Sequence, residues 1–179
     1  RNKLLIDEGD AFNELLHTRT INNLKSLNFF RKVDSEILDI ENENKKIINI
    51  TVEEKPTGEI MAGAGVGTSG GTVAFGVTEN NFLGRGIEFA SDISLSSESL
   101  KGIISMNNPN YKGLNRSLNA TLESTITDRL INFGYKSNKT GFSVGSGFEF
   151  YDDLYWNTGI SSYVEKLDTD TTASASMKK

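Results

Sequence analysis

The sequence has no cysteine, one histidine and two prolines, and its apolar residues never run together for more than a few positions. Without cysteine there is no disulfide framework, no thiolate metal site and no thiol nucleophile. The single histidine, His17, would have to serve any Ser-His-Asp arrangement. It falls mid-helix beside Leu15 and Leu16, with no second His to complete a metal site, and reads as a surface or boundary helix residue. No stretch approaches the roughly 20 apolar residues of a membrane-spanning helix, but a membrane-spanning strand needs only about 9–11 residues and alternates apolar with polar. A net charge of −5 with scattered basic residues argues against a nucleic-acid partner. The opening RNKLLIDEGD has no apolar core of signal-peptide length and reads as the middle of a longer chain.

What is abundant changes along the chain. Up to Pro56 the sequence is rich in Lys, Glu, Asn, Leu and Ile; beyond Lys55-Pro56-Thr57-Gly58 it is dominated by Gly, Ser and Thr. Such a shift marks a domain boundary, giving units 1–56 and 57–179. In the first unit Asp10 can cap a helix from about Ala11 to Leu27, with Glu14 in its first turn and Phe12, Leu15, Leu16, Ile21, Leu24 and Leu27 along one side. Two strands follow. In the first, Val33, Ser35, Ile37 and Asp39 share a face; in the second, Ile48, Ile50 and Val52 alternate with Asn49, Thr51 and Glu53. ENENK supplies the turn between them. A helix on a hairpin is a small α+β unit that buries little surface by itself.

Beyond Pro56 short strands succeed one another. Ile60, Ala62, Ala64 and Val66 alternate with Met61, Gly63, Gly65 and Gly67. A turn at Ser69-Gly70-Gly71 precedes Val73, Phe75 and Val77, making a hairpin. Ile87, Phe89, Ile93 and Leu95 mark a third strand, and weaker ones follow at about Leu100 to Asn107 and Leu114 to Ser124. Phe142, Val144, Phe148 and Phe150 mark a sixth, and Trp156, Ile160 and Val164 a seventh. The polar faces are Gly, Ser, Thr, Asn and single carboxylates, whereas a soluble sandwich interdigitates large residues. Apolar outside with a polar interior is the pattern of an outer-membrane barrel. Phe82, Tyr111, Tyr135, Tyr151, Tyr155 and Trp156 near strand ends fit an interfacial girdle.

Two apparent motifs dissolve on inspection. Gly65-Val-Gly67-Thr-Ser-Gly70 is a literal G-x-G-x-x-G, but the dinucleotide fingerprint needs a helix to open at its last glycine, and TVAFGVTE reads as a strand. Asp152-Asp153, beside Tyr151, reads as a turn rather than an acid pair. The terminal TDTTASASMKK reads as a disordered polar loop.

DEGDAFNELL, then INNLKSLNFFRKV, NITVEEKPTGEI and ENNFLGRG, resembles the BamA family of outer-membrane assembly proteins. The resemblance extends from Asp7 to Pro109; beyond that it rests on strand rhythm. It implies that residues 1–9 end the first helix of a periplasmic POTRA domain, 10–28 form its second helix and 29–55 its last two strands. The fold expected is thus a partial last POTRA domain (α+β) followed by antiparallel transmembrane β-barrel strands, about seven of sixteen. Ala11 departs from the family's usual Pro at that helix start, which is a favoured signal and not a requirement.

The function implied is folding and insertion of barrel proteins into the outer membrane, with no catalytic residue, cofactor or metal. The partners implied are the outer-membrane bilayer, unfolded outer-membrane client proteins and accessory assembly lipoproteins. Gly58, Ile60, Ala62, Gly63, Gly65 and Gly67 would form a gate strand whose edge templates a client strand. Glu54, Lys55, Pro56 and Thr57 would be the POTRA–barrel hinge, and Phe82, Leu83 and Gly84 a loop at the membrane boundary. Two other readings compete, a two-partner secretion transporter of the same superfamily and a passive porin-like channel. A soluble α+β binding protein makes the opposite demand on solvent. Residues 57–179 are therefore expected to need detergent or lipid to acquire strand structure; a monomeric, strand-rich circular dichroism spectrum in plain buffer would exclude the membrane reading.

Overall fold

The computed structural model describes residues 4–40, 45–67, 70–151 and 154–174. The expected turns at ENENK and Asp152-Asp153 fall largely or wholly outside them. The chain divides into two compact units, Arg1–Thr57 and Gly58–Lys179.

In the first unit, helix α1 spans Glu14–Ser26, three residues later than Asp10 as a cap would set it. The cap is Asn13, extended at φ −133° and ψ 115°, whose Oδ1 accepts from the backbone N–H groups of Leu15 (2.9 Å) and Leu16 (3.2 Å). Asp10 is already engaged. Its carboxylate accepts from the Asp7 N–H (2.9 Å), and its own N–H donates to the Asp7 carbonyl (3.2 Å), closing a turn through Gly9 at φ +98°. Residues 4–10 therefore form bends and a turn, not the end of a helix as the resemblance implied.

Strands β1 (Phe30–Asp39) and β2 (Lys46–Glu54) pair antiparallel with Val33 opposite Val52, Ser35 opposite Ile50 and Ile37 opposite Ile48. This is the face toward α1, since His17 Nε2 meets Ser35 Oγ at 2.7 Å. On the opposite parity Lys32 and Asp34 pair at 2.5 Å, raising the ammonium's pKa through that hydrogen bond and charge. Leu24 and Val33 are buried, while Leu15, expected on the apolar side, is 60% exposed. The most buried residue of the helix is instead Thr20, 3% exposed, whose hydroxyl accepts from the Leu5 N–H at 3.0 Å. A buried threonine so satisfied costs little, because its polar atom keeps a partner.

The second unit is a single antiparallel meander in chain order: β3 (Gly58–Gly67), β4 (Gly70–Phe82), β5 (Ile87–Ser96), β6 (Ser99–Asn108), β7 (Arg116–Arg129), β8 (Tyr135–Tyr151) and β9 (Leu154–Thr169). The sheet does not close; β3 and β9 are its margins. Seven strands match the alternation in the sequence, but β8 starts seven residues before the Phe142 that marks it there. Gly70 and Gly71 belong to β4 and not to the turn.

The register fixes two faces. Ile60, Val77 and Ser91 lie in one cross-strand row, and Val73 with Leu95 and Leu100 in another. Leu122 lies between Ile104 and Phe142, and Val144 is opposite Ile160. This is the apolar face. The other parity carries Thr72, Asp92, Lys101, Glu123, Ser143 and Asn157. Within the described part of this unit the buried residues are Gly76, Gly134, Gly147 and Ala173. No large apolar side chain is buried, the reverse of what a water-soluble core requires.

Past β9, residues 170–174 make a defined turn where the sequence reads as a disordered tail, the remainder of which lies outside the described residues. Asp170 N–H donates to the Gly134 carbonyl (2.9 Å), Thr172 turns back on Asp170, and Ala173 is 6% exposed. Gly134, at φ +71°, ends the single helical turn α2 (Leu130–Phe133), and a side chain there would strike Ala173 N and Asp170.

Asn13→Ala should cost about 1 kcal/mol by removing the cap, and Asp10→Ala clearly less. Hydrogen exchange should show Leu15 and Leu16 amides deprotected in the first variant and not in the second.

Candidate functional site: the first-strand margin

The two margins of the sheet are unlike. β9 is 16 residues long, LYWNTGISSYVEKLDT, with aromatic and branched side chains throughout. β3 is 10 residues long, GEIMAGAGVG, and differs in its side chains and not in exposure, since both strands are exposed throughout. It pairs with β4 along its whole length, from Gly58 opposite Glu79 to Gly67 opposite Gly70, and its other edge has no strand beside it among the described residues.

Gly58, Ile60 and Ala62 sit on the apolar parity, Gly63, Gly65 and Gly67 on the polar one. A Cβ added at Gly63, Gly65 or Gly67 would meet nothing within 4 Å. No neighbour forces glycine there, so its effect is to withhold side-chain packing and raise the entropy cost of extending the strand. The four residues of β3 opposite Gly70, Thr72, Ala74 and Gly76 are Gly67, Gly65, Gly63 and Met61, a row with few side chains to stabilise the pair.

Glycines at the other margin are of a different kind. A Cβ at Gly141 would lie 2.8 Å from the Ser162 carbonyl and 3.2 Å from Tyr163 Cα, and one at Gly159 would lie 3.0 Å from the Val144 carbonyl. At Gly145 and Gly147 the side chains of Asn119 and Asn157 already occupy that space. Ser117 Oγ accepts from the Gly147 N–H (3.1 Å) and donates to its carbonyl (3.3 Å). Ser117, Asn119, Gly145, Gly147, Asn157 and Gly159 are among the residues lining a trough of about 340 Å³ on β7, β8 and β9. The amides that cover these glycines are not legible in the sequence, although Gly145 and Gly147, two apart in one strand, carry the signal of a single bare face.

The polar face is knit by side-chain bonds: Asn107 to Glu88 (2.9 Å), Lys101 to Glu123 (3.4 Å) and Ser137 to Glu165 (2.7 Å), with Lys139 Nζ 4.1 Å from the centre of the Tyr163 ring. Gly65-Val-Gly67-Thr-Ser-Gly70 spans the end of β3 and the start of β4, so no helix opens at its last glycine.

Of the expected hinge, Glu54 closes β2 opposite Phe30. Lys55 is tied to residues of its own unit, its N–H to the Phe29 carbonyl (3.0 Å) and Nζ to Asn28 Oδ1 (2.6 Å). Pro56 and Thr57 remain between β2 and β3. Of the boundary loop, Phe82 ends β4 after a bulge and stacks on Phe89 at 5.6 Å. Leu83 is 74% exposed at φ +57°, and Gly84 follows at φ +68°. Asn81 holds this turn, its carbonyl accepting from Gly84 N (2.9 Å) and its Oδ1 from Gly86 N (2.7 Å). Among the girdle candidates, Tyr135 and Tyr155 take the polar parity, opposite Arg129 and Glu149, and do not join the apolar face.

No family model matches the sequence, and a search of curated proteins finds no match. Among solved structures, the crystal structure of BamA from Haemophilus ducreyi lacking POTRA domains 1-3 superposes with a TM-score of 0.82 over 94% of this chain, at 23% identity. The chain spans about a third of the length of that protein, 32%. The fold is that of a BamA-like barrel fragment.

Gly141→Ala should destabilise the sheet by about 1–3 kcal/mol, since backbone atoms stand in the way of the methyl group. Gly63→Ala should be neutral or slightly stabilising. Urea unfolding of the detergent-folded protein followed by Trp156 fluorescence checks both.

Proposed function

We propose that this chain belongs to an outer-membrane protein assembly factor, in which β3 is a weakly held first barrel strand whose open edge receives a strand of an incoming client barrel. The observation that carries the reading is the stripe Gly63, Gly65 and Gly67, glycine where nothing in the structure requires glycine, on the one margin poor in side-chain pairing. An open edge recruits another strand through its unpaired N–H and C=O groups, and a strand that must part from a neighbour works best when little besides the backbone holds it. The apolar face, with Ile60, Phe75, Ile93, Leu122, Phe142 and Ile160 all exposed, fits a bilayer. The partners are then outer-membrane lipid, unfolded barrel clients and, at the first unit, accessory lipoproteins. That unit, a helix on a two-stranded hairpin, is compatible with the second half of a POTRA domain. The chemistry is non-covalent, exchanging one set of ladder hydrogen bonds for another.

The test is Gly63→Val with Gly65→Val, which adds β-branched side chains into open space and should strengthen β3 by up to about 1 kcal/mol per site. Deuterium exchange at β3 should slow, and the rate at which the protein inserts a client barrel into vesicles should fall severalfold while its own fold is retained. Slower exchange with undiminished insertion would refute the gate.

A further inference from the structure

The cations of the sheet are not all neutralised in the same way, and Lys139 of β8 lies over the Tyr163 ring. Arg129, Lys136 and Lys166, toward the end of the strands where β7 turns into β8, each meet a carboxylate: Glu98 at 2.7 Å, Asp128 at 2.9 Å and Asp168 at 3.5 Å. Arg85, Lys112 and Arg116 belong to the opposite end, at the β4–β5 and β6–β7 turns, and none of them makes an ion pair among the described residues. Two of these lie over aromatic rings instead: Lys112 Nζ 5.4 Å from the centre of Tyr111, and the Arg116 guanidinium 5.6 Å from that of Phe148.

Arg116 is also the first residue of β7, and the register places it in one cross-strand row with Phe148 of β8 and Trp156 of β9. The row is on the apolar parity. The next rung inward on that parity is Leu118, Ser146 and Thr158, and beyond it come Ala120, Val144 and Ile160; outward, β8 runs on to Tyr151 and β9 begins at Leu154, whereas β7 extends no further than Arg116. A guanidinium at the first position of β7, over a ring and without an ion pair among the described residues, has its charge uncompensated by them. Arginine is suited to bidentate binding of phosphate, and a neighbouring tryptophan is amphipathic in the way headgroup depth demands.

We propose that this row is a headgroup site for an anionic phospholipid, with Arg116 binding the phosphate and Trp156 seated beside it at the level of the glycerol. A zwitterionic headgroup carries its own cation beside the phosphate and compensates Arg116 poorly; a headgroup of net negative charge does not. The proposal rests on the membrane reading above and adds to it a place and a lipid class.

Trp156 is the only tryptophan, so its emission reports this row alone. The protein is folded into mixed vesicles of phosphatidylcholine and phosphatidylglycerol in which one lipid or the other carries brominated acyl chains, at equal mole fraction. Brominated phosphatidylglycerol should show about a fivefold local enrichment over brominated phosphatidylcholine, the scale of one basic residue at an anionic surface. Arg116→Gln should bring the ratio to about one, Arg116→Lys, which keeps the charge but loses the bidentate fork, should keep only part of it, and Arg85→Gln, in the β4–β5 turn, should leave it unchanged. A ratio near one in the unmodified protein, or one indifferent to Arg116→Gln, overturns the site. So does loss of the preference when inorganic phosphate is added, which would assign Arg116 to free phosphate. Absence of quenching by either brominated lipid would instead remove the membrane reading, and the site with it. The unmodified protein's ratio decides the matter even where a variant fails to fold.

Discussion

Backbone pairing between consecutive strands is the interaction on which the whole sheet depends, because its side chains bury so little. The described residues of the second unit bury three glycines and one alanine, and none of these is a large side chain packed between layers. A single-layer sheet in water would leave one face of Ile, Val, Leu and Phe unpaid for, and marginal stability leaves no room for that loss. In a bilayer the demand is reversed. Apolar side chains are at ease on the outside, while every backbone N–H and C=O must find a partner within the protein. A meander with each strand bonded to its chain neighbours meets that demand everywhere except at its margins, so the margins are where function can be placed.

The glycines show how the same residue serves opposite ends. Gly141 and Gly159 are held by close approach of backbone to backbone, and Gly145 and Gly147 by amide side chains folded over them. They let β7, β8 and β9 pack tightly on one another, aided by the Ser117 hydroxyl bridging both backbone groups of Gly147. Gly63, Gly65 and Gly67 face open space, and their only mechanical consequence is a strand that is easier to lose. Glycine content alone does not distinguish the two; the neighbour of the absent Cβ does.

Much of this was legible in the sequence, for a reason that also explains what was not. Where a strand crosses between an apolar and a polar side, period-two alternation must appear, and β3, β4, β5 and the middle of β8 and β9 announce themselves by it. The start of β8, Tyr135 to Thr140, is polar on both parities, with Asn138 and Thr140 on one and Ser137 and Lys139 on the other, so its sequence carries no alternation to read. The helix cap was misplaced because Asp10 and Asn13 are both good caps, and only the turn that engages Asp10 with Asp7 decides between them. Thr20 in the core was invisible for a related cause: its partner, the Leu5 amide, is fifteen residues away. For the margin strand, the run of glycines was legible in composition, whereas the distinction between required and unrequired glycines needed coordinates.

The distribution of charge then follows from the same constraint as the ladder. A cation on a sheet without a buried interior cannot be sheltered, so it must be neutralised by a neighbouring strand or by what surrounds the sheet. At one end the neighbours are Glu98, Asp128 and Asp168, and the strands carry their counterions with them. At the other end Arg116 has a ring beneath it and an apolar face beside it, and the ring attracts the cation without cancelling its charge. That difference is built into two strand ends of one meander, where nothing about backbone pairing required it. Among the described residues one end supplies its own counterions and the other leaves Arg116 without one, which is where the proposed headgroup would sit.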